Sequence, residues 1–156
     1  MTEQKRYVVK YLDKEDIQLM HSIVSDKWKE DGEPISPFST ADEHNLDALI
    51  KIPNSDYFGV EQYPSLSSKA AIIFYTLNKK HLFLNGNKRL SVACLIIFLL
   101  LNDKELDVKP NEMTSKALEL AQTSYNHDFE AIKKDLETWI EKRLVDFDLS
   151  DETPER

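Results

Sequence analysis

Apolar residues along this chain recur mostly at helical spacing. Ile17, Met20, Val24 and Trp28 stand at i, i+3, i+7 and i+11, one stripe of a helix. A first helix is therefore predicted from Asp13 to Trp28, with Asp13 as its N-cap, ended by the charged run from Lys29 to Pro34. The stretch from Pro34 to Pro64 is the least regular. A short helix is predicted there from Glu43 to Lys51, after which Pro53, Asn54, Ser55 and Gly59 punctuate Tyr57 and Phe58 into a turn or small hairpin. From Ser65 to Lys80, Leu66, Ala70, Ile73, Phe74 and Leu77 form a second stripe, closed by Lys79 and Lys80, where cations complement the helix dipole.

A different pattern follows. Arg89 to Leu101 is apolar on every face and is stopped by Asn102 and Asp103. A bilayer crossing takes about 20 apolar residues, so this shorter, charge-flanked run predicts a central helix buried inside the protein, the most buried of the fold. Two amphipathic helices are expected next, from Glu112 to Ser124 and from Asp128 to Leu144, the second carrying Phe129, Ile132, Leu136, Trp139 and Ile140. No linker or repeat divides the chain. The expectation is one all-α domain over residues 1–145 and a flexible acidic tail over residues 146–156.

Composition narrows the classes of function. At 156 residues and 41% hydrophobic content, folding can bury roughly 70% of the chain's surface, so no disulfide framework is needed, and the single Cys94 could not supply one. That lone cysteine, with no apolar run behind the early charges of Met1 to Lys14, points to the cytoplasm. With 28 acidic against 20 basic side chains, a formal charge of -8, the chain lacks the cationic surface that nucleic-acid binding requires. Only three glycines are present, which excludes multi-glycine nucleotide fingerprints. His21, His44 and His127 show no metal-ligand spacing and read as surface or core-edge residues, while Trp28, Trp139 and Cys94 read as core.

One segment carries candidate chemistry. His81-Leu-Phe83-Leu-Asn85-Gly86-Asn87-Lys88-Arg89 leads into the central helix, whose N-terminus offers unpaired N–H groups and partial positive charge. Lys88 and Arg89 at that end oppose the dipole, an arrangement that invites an anion, and a phosphate chain has enough charge. His81 lies just before the turn, where a base active at neutral pH could stand beside the phosphate. Phe83 is expected to point inward and anchor the loop. A histidine, a glycine turn and two surface cations also occur together by chance, and the residues alone leave both readings open.

Taken as one pattern, His81-x-Phe83-x-x-Gly86-Asn87-Lys88-Arg89 resembles the signature loop of the Fic/Doc superfamily, His-x-Phe-x-Asp/Glu-Gly/Ala-Asn-Gly/Lys-Arg. Tyr63-Pro64-x-Leu66-x-x-Lys69-Ala70-Ala71 is similar to the segment preceding that loop in death-on-curing (Doc) relatives, and the apolar helix ending near Phe98 to Asn102 fits them too. The resemblance covers roughly Lys10 to Leu144. It implies an all-α bundle of about six helices around the buried central helix, with a small β-hairpin flap that aligns the target; Tyr57 and Phe58 fall where that flap is expected. It further implies that His81 is the general base acting on a Ser, Thr or Tyr hydroxyl of a target protein, and that Gly86, Asn87, Lys88 and Arg89 bind the phosphates of ATP. Mg²⁺ would be the metal, and the partners would be a protein substrate, with a translation factor as a candidate, and an antitoxin.

Two departures from the wider family bear on activity. Its metal-binding acid is Asn85 here, a weaker Mg²⁺ ligand, which favours a catalytically weak binding scaffold as one alternative. Where adenylylating members have Gly-Arg and a further arginine three positions on, this chain has Lys88, Arg89 and Val92. That pattern resembles the Doc branch, which transfers a terminal phosphate as the toxin of a toxin-antitoxin pair, and leaves adenylyl transfer (AMPylation) as the other alternative. Neither Ser39-x-x-x-Glu43-His44 nor Ser115-x-x-x-Glu119-Leu120 fits the autoinhibitory helix of adenylylating relatives.

Overall fold

A computed structural model describes residues 8–27, 40–79, 86–123 and 129–147 of the chain. Among them are six α-helices and two small antiparallel ribbons, the expected all-α bundle with a β-hairpin. Helix α1 spans Lys14–Lys27 and α2 Thr40–Leu49; a 3-10 turn at Ile52–Asn54 leads to the hairpin strands β1 (Asp56–Tyr57) and β2 (Val60–Glu61). Helices α3 (Leu66–Lys79) and α4 (Asn87–Leu101) follow, then β3 (Lys104–Leu106), α5 (Pro110–Gln122), α6 (Phe129–Arg143) and β4 (Leu144–Asp146). Trp28 lies outside the described residues.

Local chemistry sets the helix ends. The Asp16 N–H donates to Asp13 Oδ1 at 2.8 Å and the Asp13 N–H to Asp16 Oδ2 at 3.0 Å, a reciprocal capping box that makes Asp13 the start of α1. Ser65 and Ser68 exchange the same pair of bonds, both 3.0 Å, ahead of α3. At the end of α4, Asp103 takes a left-handed φ of 60° while its N–H reaches the Leu100 carbonyl at 3.1 Å, a C-terminal stop. Lys79, expected to complement the dipole of α3, is instead buried, and its Nζ donates to the Thr123 carbonyl beyond α5.

The most enclosed helix is α3, not α4. Every α3 residue except Leu66 and Tyr75 is buried, because α3 packs against α4, α5, α6 and the 3-10 turn together. Helix α4 meets α1, α3, α5 and β3 and leaves one side open. Ile96 is 44% exposed there, although the sequence of α4 is apolar all round. Core residues Phe74 and Leu77 of α3 join Leu95, Phe98 and Leu99 of α4, Leu120 of α5 and Leu136 and Ile140 of α6 in one cluster.

A second ribbon, absent from the helical pattern, pairs β3 with β4: Lys104 faces Asp146, Glu105 faces Val145 and Leu106 faces Leu144. The Asp107 N–H to the Arg143 carbonyl (2.7 Å) and the Phe147 N–H to the Asp103 carbonyl (2.9 Å) extend it at both ends. Asp146, where the sequence suggests a tail begins, is thus strand. Nearby, Asn102 is 1% exposed and works as a clasp. Its Oδ1 accepts the Lys10 N–H, and its Nδ2 donates to the carbonyls of Lys10 and Phe98, all at 2.8 Å.

Truncating Asn102 to Ala leaves those backbone groups unpaired, and chemical denaturation is expected to show a loss of about 1–3 kcal/mol. Cys94 lies within the core of α4, where burial first and the negative charge of Asp16 second push its thiol up to about 12. At pH 8 it stays the unreactive thiol. A disulfide reagent is expected to label it only as denaturant unfolds the chain, and rapid native-state labelling would contradict this placement.

Candidate functional site

Helix α4 begins at a left-handed residue. Gly86 has φ 78° and ψ 8°, a conformation that a Cβ would clash with. The first helical bond runs from the Leu90 N–H to the Gly86 carbonyl at 2.9 Å. The N–H groups of Asn87, Lys88 and Arg89 precede that bond and point outward from the helix end. Ser91 Oγ donates to the Lys88 carbonyl at 2.6 Å and tightens this first turn.

The structure thus brings four of the predicted residues, Gly86, Asn87, Lys88 and Arg89, into one turn at the positive end of a helix. Asn87 is buried, Arg89 half-buried and Lys88 exposed. Cations beside a positive helix end oppose its dipole, and a helix mouth with a guanidinium and an ammonium suits phosphate oxygens. His81, Phe83 and Asn85 lie outside the described residues.

Tyr57 and Phe58 fall together at the tip of the β1–β2 hairpin. Asp56 pairs with Glu61 and Tyr57 with Val60, joined by Phe58 (φ 53°) and Gly59 (φ 81°). Positive φ at both central residues makes a type I′ turn, whose twist matches the strands. Gly59 adopts it freely, whereas an aromatic residue there is strained by about 1–2 kcal/mol. Phe58 is nevertheless 97% exposed and meets Tyr57 edge-on, with ring centroids 5.1 Å apart. Tyr57 and Val60 are exposed as well. Among the described residues neither outer edge of this ribbon pairs with another strand, so its backbone can accept an extended segment.

Sequence reasoning took Lys69 only as part of a resemblance and missed what it does. It is 2% exposed, and its Nζ donates to the Tyr63 carbonyl at 2.5 Å and the Pro53 carbonyl at 3.2 Å. Glu61 Oε1 lies 3.6 Å away, and the Tyr11 ring centroid 5.6 Å away. A signal was present: Leu66, Lys69, Ala70 and Ile73 follow i, i+3, i+4, i+7 spacing, so the lysine sits on the apolar stripe of α3. Tyr63 is buried too, with Lys133 Nζ 5.3 Å above its ring. Burial raises its phenol, against the opposing pull of Lys133, so the hydroxyl stays protonated at neutral pH.

The remaining histidines and Trp139 fall away from the mouth of α4 in the sequence, and only some match the surface, core-edge or core positions expected of them. His21 is buried and His44 exposed, His127 lies outside the described residues, and Trp139 packs beside the core with Arg143 stacked on it at 4.4 Å.

Comparison with known proteins bears on the same segments. The chain is 34% identical over 86 residues to Toxin Doc of Mycolicibacterium smegmatis (strain ATCC 700084 / mc(2)155), a match covering 55% of this chain and 59% of that relative. The chain thus spans about three-fifths of the length of the curated relative it matches. No solved structure matches. The family model described as Fic/DOC family matches residues 11–99, from the start of the bundle through the hairpin, α3, the loop and most of α4. On that match, which takes in more than half of the chain, the protein belongs to the Fic/DOC family.

Proposed function

We propose that this protein transfers the terminal phosphate of ATP to a Ser, Thr or Tyr hydroxyl of a target protein, and that it is the cytoplasmic toxin of a toxin-antitoxin pair. The observation that carries the reading is the left-handed entry to α4 at Gly86, with Lys88 and Arg89 in its first turn. Membership of the family and similarity to a protein named Toxin Doc support it. Among the described residues no helix is long and apolar enough to cross a membrane.

In this reading His81 accepts the proton of the target hydroxyl, and the hydroxyl oxygen bonds to the γ-phosphorus. The bond from that phosphorus to the β–γ bridging oxygen breaks, and ADP leaves. The N–H groups of Asn87, Lys88 and Arg89 and the two cationic side chains hold the phosphates in line. Phe83 anchors the loop, and Tyr57 and Phe58 on the hairpin dock the target's backbone. Among the described residues no group of three or more His, Cys, Asp or Glu side chains is placed to hold a metal ion. In this reading the amide oxygen of Asn85, with the nucleotide's own phosphates and water, would hold Mg²⁺. Bound there, the ion would supply neutralisation of phosphate charge.

Incubation of the protein with a cell lysate and ATP labelled at either the α or the γ phosphate tests the reading. Label is expected on protein from the γ position alone, and replacing His81 by Ala is expected to slow transfer by about 10²–10⁴-fold. Label from the α position would establish adenylyl transfer instead; label from neither would favour a binding scaffold. Restoring a carboxylate with Asn85→Asp is expected to lower the Mg²⁺ concentration that half-saturates the rate. An unchanged Mg²⁺ titration would show that residue 85 does not limit metal binding.

A further inference from the structure

We infer that Lys69 is the positioning residue of the β1–β2 hairpin, its single ammonium clamping both legs and holding the Tyr57–Phe58 tip in place for the target. This rests on reading the hairpin as the target-docking element.

The hairpin cannot hold its own position. Each strand is two residues long, and an isolated two-stranded hairpin is marginal in water. All residues from Asp56 to Glu61 are exposed, so no burial fixes them. The register even sets two carboxylates opposite each other, Asp56 against Glu61, which destabilises the pair. Whatever places the tip must act at the base.

Lys69 acts there. Pro53 precedes β1 and Tyr63 follows β2, so the two carbonyls that accept from Nζ lie on opposite legs. Glu61 on β2, its Oε1 3.6 Å from Nζ, adds an ion pair to the two hydrogen bonds and so relieves the carboxylate repulsion. The side chain rises from α3, the most enclosed helix, so the clamp is tied to the rigid core. Replacing a whole buried ion pair by apolar residues can cost nothing, but replacing this lysine alone takes the donor from both the Pro53 and the Tyr63 carbonyl. What Met at this position could not supply is a link between the two legs.

Lys69→Met and Glu61→Gln test this, read by backbone amide exchange across residues 55–62 and by transfer kinetics on the lysate protein that takes up label, once purified. In Lys69→Met the hairpin amides are expected to exchange about tenfold faster, while amides of the α3–α4 core keep their protection. KM for the protein target is expected to rise by a similar factor, with kcat and KM for ATP unchanged, a split that general destabilisation does not produce. Glu61→Gln, made and compared in an Asp56→Asn background so that no carboxylate repulsion is lost with it, alters only an exposed partner and remains folded, and its hairpin amides are expected to exchange about twofold faster. Unchanged hairpin exchange in folded Lys69→Met overturns the clamp; if that variant fails to fold, unchanged exchange in Glu61→Gln does so. A loosened hairpin with unaltered target KM overturns the positioning role. Absence of any transfer by the parent protein would instead sink the proposed activity, and the exchange measurement would still decide the clamp.

Discussion

The apolar contact between α3 and α4 is the constraint on which the other elements rely. The family's signature lies between the two helices in the sequence and runs into the first turn of α4, so their packing fixes the residues on either side of it. Phe74 and Leu77 on one side and Leu95, Phe98 and Leu99 on the other are each 4% exposed or less, and close packing of this kind resists small displacements. The left-handed Gly86 then turns the chain into α4 at one defined point. The first turn of α4 is thereby fixed on a closely packed scaffold.

Around this pair the protein uses buried lysines as ties between elements. Lys69 joins α3 to both legs of the hairpin, Lys79 joins the end of α3 to Thr123 beyond α5, and Lys116 of α5 reaches Asp135 of α6 at 2.9 Å. Each places a charge where desolvation opposes it, and each recovers interaction from acceptors on a different element. A flexible stem with a compact, three-donor head suits this task. In an acidic chain, then, several cations are engaged inside the protein. The overall charge of -8 therefore says little about the local charge at the mouth of α4.

The helices were legible in the sequence because each buries a stripe and helical periodicity records it. Asp13 marked the start of α1 and Asn102-Asp103 the end of α4, since both act through bonds to near neighbours in the chain. The β3–β4 ribbon was not legible. Its strands are three residues each, too short for an alternating pattern, and they pair because the ends of α4 and α6 arrive side by side. The depth of α3 was likewise hidden, as its serines, lysines and asparagine look surface-bound until four neighbours enclose them.

At the candidate site the division is similar. The sequence by itself determined the loop pattern, the cations at the mouth of α4, the glycine that must turn there and the hairpin at Tyr57–Phe58, because these depend on residue type and close spacing. Tertiary structure alone decided that Lys69 is buried against carbonyls sixteen residues and six residues away, that Asn102 clasps Lys10 across ninety-two residues, and that α4 keeps an open side at Ile96. Those outcomes depend on which elements meet, and a hydrophobic pattern reports only that a face is covered, not by what.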